Sequence, residues 1–527
     1  MSLVEPAWIL RSARRHCADG RLRTAAEFAA GGGVTTPVHR SRVTRWENGS
    51  TEPWYDLVRR YELVCGYPAG QLVTAVDIVN REAHPVSCTP RLARPPRSDP
   101  VSAATRLVRA ALDDEPLCRA AWDELSATLG ALPAVLLMPE QWTHLLTRGL
   151  HEMSLAVGLD YLQRLEAMAR LAGHPCAGPH VLALFETALT DPTSQVFSET
   201  AALMQYCDHP DAAIVLLKVA RHAVNDHALR AALTAAATML RGRRVEPARA
   251  LELAQLALDC CRDPDRPYRV RRCAADVLRA LTPRARRRIV SDLRSGSTDQ
   301  ALASILEDEG PRPLAQSKAL GNRIRQRVQE QLGSDVPGDD DLLRLLRYIT
   351  VETNDQRRAD ALELMMLLPF GPVVGTAYAD ELRDSMARGD VPGMHECLGV
   401  LSFLAPAGEA SLLADLAVTS WDATDGQVAV EASWALGNLR GTSSELTRAE
   451  ESVAGAVRRS LADREDVPEE LYPAWAYALG MRGRRDLLSE LVAAPQHHHS
   501  RGWAEARRWW LELPGHLRSL AVDAPIG

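Results

Sequence analysis

A chain of 527 residues exceeds what one compact core commonly holds and points to several domains or to a repeat array. Its hydrophobic content of 46% is carried by alanine and leucine, with aromatics at only 5%, which is the composition of packed helices and excludes a disordered or fibrous chain. The net charge of −7 argues against a chain coated in nucleic acid, and no run of roughly 18 apolar residues marks a membrane span.

The charge is unevenly spread. Through Arg97 there are 14 basic and 9 acidic residues, whereas the remainder holds 47 and 59. A small basic head on a large acidic body is the asymmetry expected where only the head meets a polyanion. All the basic residues are arginine except Lys218 and Lys318. The ten cysteines are scattered with no Cys-x-x-Cys spacing, so reduced thiols packed among helices are expected, not a disulfide framework.

In the head, Trp8 to Arg15 predicts a first helix with Ile9, Leu10 and Ala13 facing inward. Thr24-Ala25-Ala26-Glu27 matches a capping box and opens a second helix, which Gly31-Gly32-Gly33 ends. Thr36 as N-cap with Pro37 at the first helical position predicts a third helix running to Asn48, closed by Gly49 in a left-handed conformation. Helical geometry points Val43 and Trp46 at the core and Ser41, Thr44, Arg45 and Asn48 away from it, with Arg40 and Arg42 on the flanks. A fourth helix begins at Pro53, with Leu57 and Tyr61 inward, and breaks at Gly66-Tyr67-Pro68. A fifth runs from Ala69 to about Asn80.

Five short helices with a turn between the second and third resemble the helix-turn-helix domain of the phage-repressor (Xre/Cro) family. The residues that carry the resemblance are Leu10-Arg11-x-Ala13-Arg14, Thr24-x-x-Glu27-Phe28-Ala29, Val43-Thr44-Arg45-Trp46-Glu47-Asn48-Gly49 and Glu52-Pro53. Leu57-Val58-Arg59-Arg60-Tyr61-Glu62 and Gly66-Tyr67-Pro68-Ala69-Gly70-Gln71-Leu72 continue it. In that family a Gly-Val pair of the turn lies eight residues before the position of Trp46; here Gly33-Val34 lies four residues further upstream, so the turn is longer. The resemblance implies that the third helix enters the major groove of double-stranded DNA, with Arg40, Ser41 and Arg45 at base edges and Thr24, Arg42, Thr44 and Asn48 at phosphates. It also implies that Glu47 pairs with Arg14 of the first helix.

Residues 84–100 carry five prolines and no helical period, which predicts an extended, semi-rigid linker; its Arg91, Arg94 and Arg97 are expected to be solvated, with phosphate contact as the alternative. From residue 101 to 527 the pattern is helical throughout. Similar Ala-Ala/x-x-Leu segments recur, and Ala201, Ala231, Ala274, Ala361, Cys397, Ala432 and Trp475 are comparable points in them. A period near 40 residues resembles HEAT or armadillo helical repeats, and TPR-like helical pairs fit it as well. The expected fold is all-α: a five-helix helix-turn-helix domain over residues 1–83, the linker, then an α-solenoid of HEAT-like repeats.

No constellation for catalysis stands out. Phosphate loops, His-Glu-x-x-His and Gly-x-Ser-x-Gly are absent. The run His497-His498-His499 cannot turn all three rings to one helix face, and Asp339-Asp340-Asp341 lacks the rest of a calcium loop and fits the start of a helix. No enzyme activity, cofactor or metal is expected. The expected function is a cytoplasmic, nucleoid-associated transcriptional regulator that binds DNA as a homodimer. Its helical body would bind a protein or small-molecule effector. The alternative is an interaction scaffold whose repeats bind a partner protein and whose head tethers it to DNA.

Overall fold

A computed structural model describes residues 3–83, 92, 94, 99–132, 134–135, 137–295, 314–333, 339–352, 355–419, 426–463, 467–491 and 501–518. Among these residues every regular element is helical. The histidine run at 497–499 lies outside them.

The N-terminal region holds five α-helices: α1 (Pro6–Arg15), α2 (Ala25–Ala29), α3 (Arg40–Glu47), α4 (Tyr55–Cys65) and α5 (Gln71–Ala83). Ile9, Leu10 and Ala13 are buried, as are Val43, Trp46, Leu57 and Tyr61, so the predicted inward faces are the observed ones. Phe28 and Tyr61 pack with ring centroids 4.3 Å apart, and Trp46 meets Tyr61 edge-on at 6.5 Å. The end of α4 is set by Gly66, whose φ of 74° gives the left-handed residue that stops a helix there. The Glu62 carboxylate then caps α5, accepting from the backbone N–H groups of Gly70, Leu72 and Val73 at 2.8–3.0 Å.

The start of α3 differs from the expectation. The helix opens at Arg40, with His39 as N-cap accepting from the Ser41 N–H, and not at Pro37 with Thr36 as cap. Val38 N–H instead donates to the Ala29 carbonyl at 2.8 Å, and the Arg60 guanidinium donates to the Thr36 carbonyl at 2.7 Å. These bonds commit residues 34–39 to the long turn. Gly31, Gly32 and Gly33 all have positive φ at its start, which residues with a Cβ rarely tolerate in succession.

Past residue 100 the helices stack in a repeat-like manner. Phe197–Met204 packs on Asp226–Arg241, which packs on Tyr268–Ala280. In the second half Asp355–Leu367, Val391–Leu404, Gln427–Gly437, Leu471–Met481 and Arg501–Glu512 follow one another in the same way. A second layer covers this inner row: Pro247–Arg262, Gly371–Arg388 and Ala410–Thr419 each pack on an inner helix. All seven residues taken as comparable points in the repeats lie buried on inner helices. Small residues allow this close stacking; a Cβ on Gly480 would fall 2.1 Å from the Trp510 ring of the next helix. Asp339 caps Asp340–Val351, as the aspartate run predicts.

The head is docked on this stack. The buried Trp8 ring of α1 stacks on Phe370 at 6.1 Å, and its indole N–H donates to Asp339 at 2.7 Å. Helix α5 packs against both Leu159–Ala172 and Asp355–Leu367, one helix from each half of the body. At its end Arg81 donates to Glu166, Asp360, Glu363 and the Tyr206 hydroxyl, at 2.8–3.0 Å. Arg94, expected on a solvated linker, is instead pinned by Asp77 of α5 and Asp123 of Arg119–Gly130, at 3.0 and 2.7 Å, over the Tyr55 ring. Leu92 is buried too. The sequence hides the contacts of Trp8 and Arg81 because their partners lie far along the chain, as with Asp339, 331 residues from Trp8.

Candidate nucleic-acid interface

Helix α3 is a two-sided object. Its inner side is fixed by an interlocked set: Arg14 of α1 forms a two-pronged bond to Glu47, 2.7 Å at each prong, and the Tyr61 hydroxyl donates to the same carboxylate at 3.0 Å. Burial works against the Arg14 charge, but the hydrogen bond and charge of Glu47 more than restore it, holding the guanidinium above its ordinary range. Burial, together with the Glu47 charge, pushes the Tyr61 hydroxyl far up, so it stays protonated and keeps donating. The Arg14–Glu47 pairing expected from the resemblance is therefore present.

The outer side of α3 is open. Arg40, Ser41, Arg42, Thr44, Arg45 and Asn48 are all exposed. Residues 41, 45 and 48 follow i, i+4, i+7 spacing and form one stripe, with 40 and 44 forming a second beside it. Ser41 bonds the His39 ring at 2.8 Å, and the Asn48 side chain accepts the Ser50 N–H at 3.0 Å. Among the described residues no ion pair engages Arg40, Arg42 or Arg45. These cations crowd the first two turns, and the first turn holds no acidic residue to offset them. A cation at a helix N-terminus opposes the helix dipole, so an anion arriving there would be favoured by both the dipole and the guanidinium groups.

Thr24 lies apart from that stripe, at the N-terminus of α2, which packs on α3. Its hydroxyl accepts the Glu27 N–H at 3.2 Å, so it is a helix cap. The structure thus brings six of the seven expected residues onto one short helix and its C-cap, with Thr24 on the adjoining one. The helices with which α3 chiefly packs are α1 and α2, whereas α5 faces the body. Trp54, 47% exposed, flanks the site and meets the Trp46 ring edge-on at 6.2 Å. Sequence periodicity assigned Trp46 to the core but gave Trp54 no role.

The chain matches no protein-family model, and no curated protein matches it.

Proposed function

We propose that this protein is a sequence-specific, double-stranded-DNA-binding transcriptional regulator in which α2 and α3 act as a helix-turn-helix and α3 is the reading helix. The observation that carries the reading is the division of α3 into a locked inner face and an exposed outer face with three arginines that form no ion pair among the described residues. Arg45 and Arg40 are suited to the O6 and N7 acceptors of guanine, and Arg42, Thr44, Asn48 and Thr24 to phosphate. The stacked helices of the body, an α-solenoid in this reading, would pair two heads and receive a signal. A single small head binds weakly, and pairing sets two half-sites about one helical turn apart.

Selection of bound fragments from random duplex DNA tests this. A compact palindrome is expected, with affinity that falls steeply as salt rises because arginine–phosphate contacts release counterions. The variant R40A/R45A is expected to lose the sequence preference. Salt-insensitive binding, or an unchanged preference in that variant, would sink the proposal.

A further inference from the structure

A cavity of about 1100 Å³ lies between the two halves of the body, within the size range of small-molecule sites or slightly above it. Inner helices from both halves line it. Phe197 and Glu199 come from the first half, and Phe403, Trp434 and Tyr477 from the second, so aromatic surface faces the space from opposite sides.

Two arginines in this wall differ from their neighbours. Arg269, close by, pairs with Glu431 and lies over the Trp434 ring at 5.3 Å. Arg266, in the wall, pairs with Asp226 and Asp263. Arg440 and Arg230 form no such pair among the described residues, and Arg440 Nη2 and Arg230 Nε are buried with no hydrogen-bond acceptor. Asp160, the acid within electrostatic reach of Arg440, is already bonded by Arg119 at 2.6 Å. Burial, reinforced by nearby Arg482, pushes the Arg440 guanidinium down to about 10. A desolvated guanidinium without an anion is costly, and proteins seldom keep one unless an anion arrives.

We propose that this cavity is a binding site for an organic monocarboxylate with an aromatic or aliphatic body, the carboxylate anchored by Arg440 and the body lying among Phe197, Trp434 and Tyr477. Arg230 adds a second positive charge to the wall. A single negative charge fits better than a phosphate dianion, because Glu199, Glu469 and Glu470 also line the space. The inference does not rest on the role proposed for the head. Tyr161, in the same wall, lies within electrostatic reach of Glu199 and also of Glu363 and Tyr206, the groups that hold Arg81 of the head. One wall residue of the cavity therefore lies within electrostatic reach of groups that anchor the head.

The test uses the full chain without DNA, so its failure would leave the DNA reading standing. Fluorescence titration with 8-anilinonaphthalene-1-sulfonate, an aromatic monoanion, is expected to show one site per chain, competed by 2-naphthoate and not by inorganic phosphate at equal concentration. R440Q is expected to weaken the probe at least tenfold and R230Q about threefold. S198W, which adds a bulky ring at an exposed serine of the wall, is expected to abolish the site without disturbing the core, and carries the test if R440Q does not fold. Probe affinity within twofold of the original in folded R440Q, or in S198W, would overturn the proposal. Competition by phosphate as strong as by 2-naphthoate would overturn the carboxylate assignment.

Discussion

Arginines in the same small head live under opposite conditions. Arg40, Arg42 and Arg45 on α3 are exposed and form no ion pair among the described residues, while Arg81 on α5 is surrounded by three buried carboxylates and a tyrosine hydroxyl. An exposed guanidinium stays hydrated, so leaving it unpaired carries little penalty and keeps it available. A buried one must be matched, and once matched it fixes geometry. The head thus uses one residue type for two purposes: α5 clamps it between the two halves of the body, and α3 leaves a cationic face clear.

The largest expected effect breaks the clamped side. R81A would remove the guanidinium that bonds buried Glu166, Asp360 and Glu363, and a stability loss of about 3–5 kcal/mol is expected in urea unfolding. A loss below about 1 kcal/mol would show that the head is not held through Arg81. The crowding of these carboxylates also shifts Glu363. Burial first, then the neighbouring Asp360 and Glu166, raise Glu363 well above its ordinary range, so it carries a proton. The stability it contributes is present in acid and is lost as pH rises through its folded pKa.

The body offers a cleaner pH test. Burial pushes Glu199 up to about 7, and the titratable side chains within reach are Tyr161 and Tyr477, with Arg440 and Arg230 elsewhere in the wall. Its folded pKa lies above its unfolded value, so its stabilising contribution is full below pH 4.5 and is lost by about pH 7. E199Q removes that titration. Relative to the original protein it should gain on the order of 2–3 kcal/mol between pH 5 and pH 8. Parallel thermal midpoints of the two proteins across that range would refute the raised pKa.

How much of this was legible in the sequence depended on distance along the chain. The faces of α3 and the Arg14–Glu47 pair rest on short-range periodicity or on a family pattern, and the buried alanines of the inner helices repeat often enough to be read. The start of α3 was misplaced because Thr36-Pro37 is a good local opening signal, overruled by the bond from Val38 back to Ala29. Arg81, Arg94, Arg230 and Arg440 carry no readable signal, since their surroundings come from tertiary packing: Arg81 meets carboxylates 279 and 282 residues away, and even Arg94's partners, 17 and 29 residues away, sit on separate helices. Only the tertiary stack distinguishes them from the solvated arginines that the sequence suggests.

On the open side of the head, R45A is expected to leave thermal stability within about 0.5 kcal/mol of the original, the range of ordinary surface changes. Its cost should fall on DNA, at about 1–3 kcal/mol for the preferred site and relaxed preference at one base pair. A variant that unfolds easily and yet retains its preference would reverse the comparison, making Arg45 a structural residue like Arg81.

The smallest effect concerns Thr24, where the two conditions meet in one side chain. Its hydroxyl oxygen accepts the Glu27 N–H, which leaves the hydroxyl hydrogen free for an acceptor outside the protein. T24A removes both functions and should cost about 1 kcal/mol of stability along with some affinity, so it cannot separate them. T24D can. An aspartate caps a helix N-terminus as well as threonine does and is favoured by the dipole, so stability should hold or rise slightly. The same carboxylate would repel a phosphate, and affinity for all DNA sequences should fall together while the sequence preference stays. If T24D binds DNA as tightly as the original protein, Thr24 is a cap alone, and the phosphate-facing surface is confined to α3 and its C-cap.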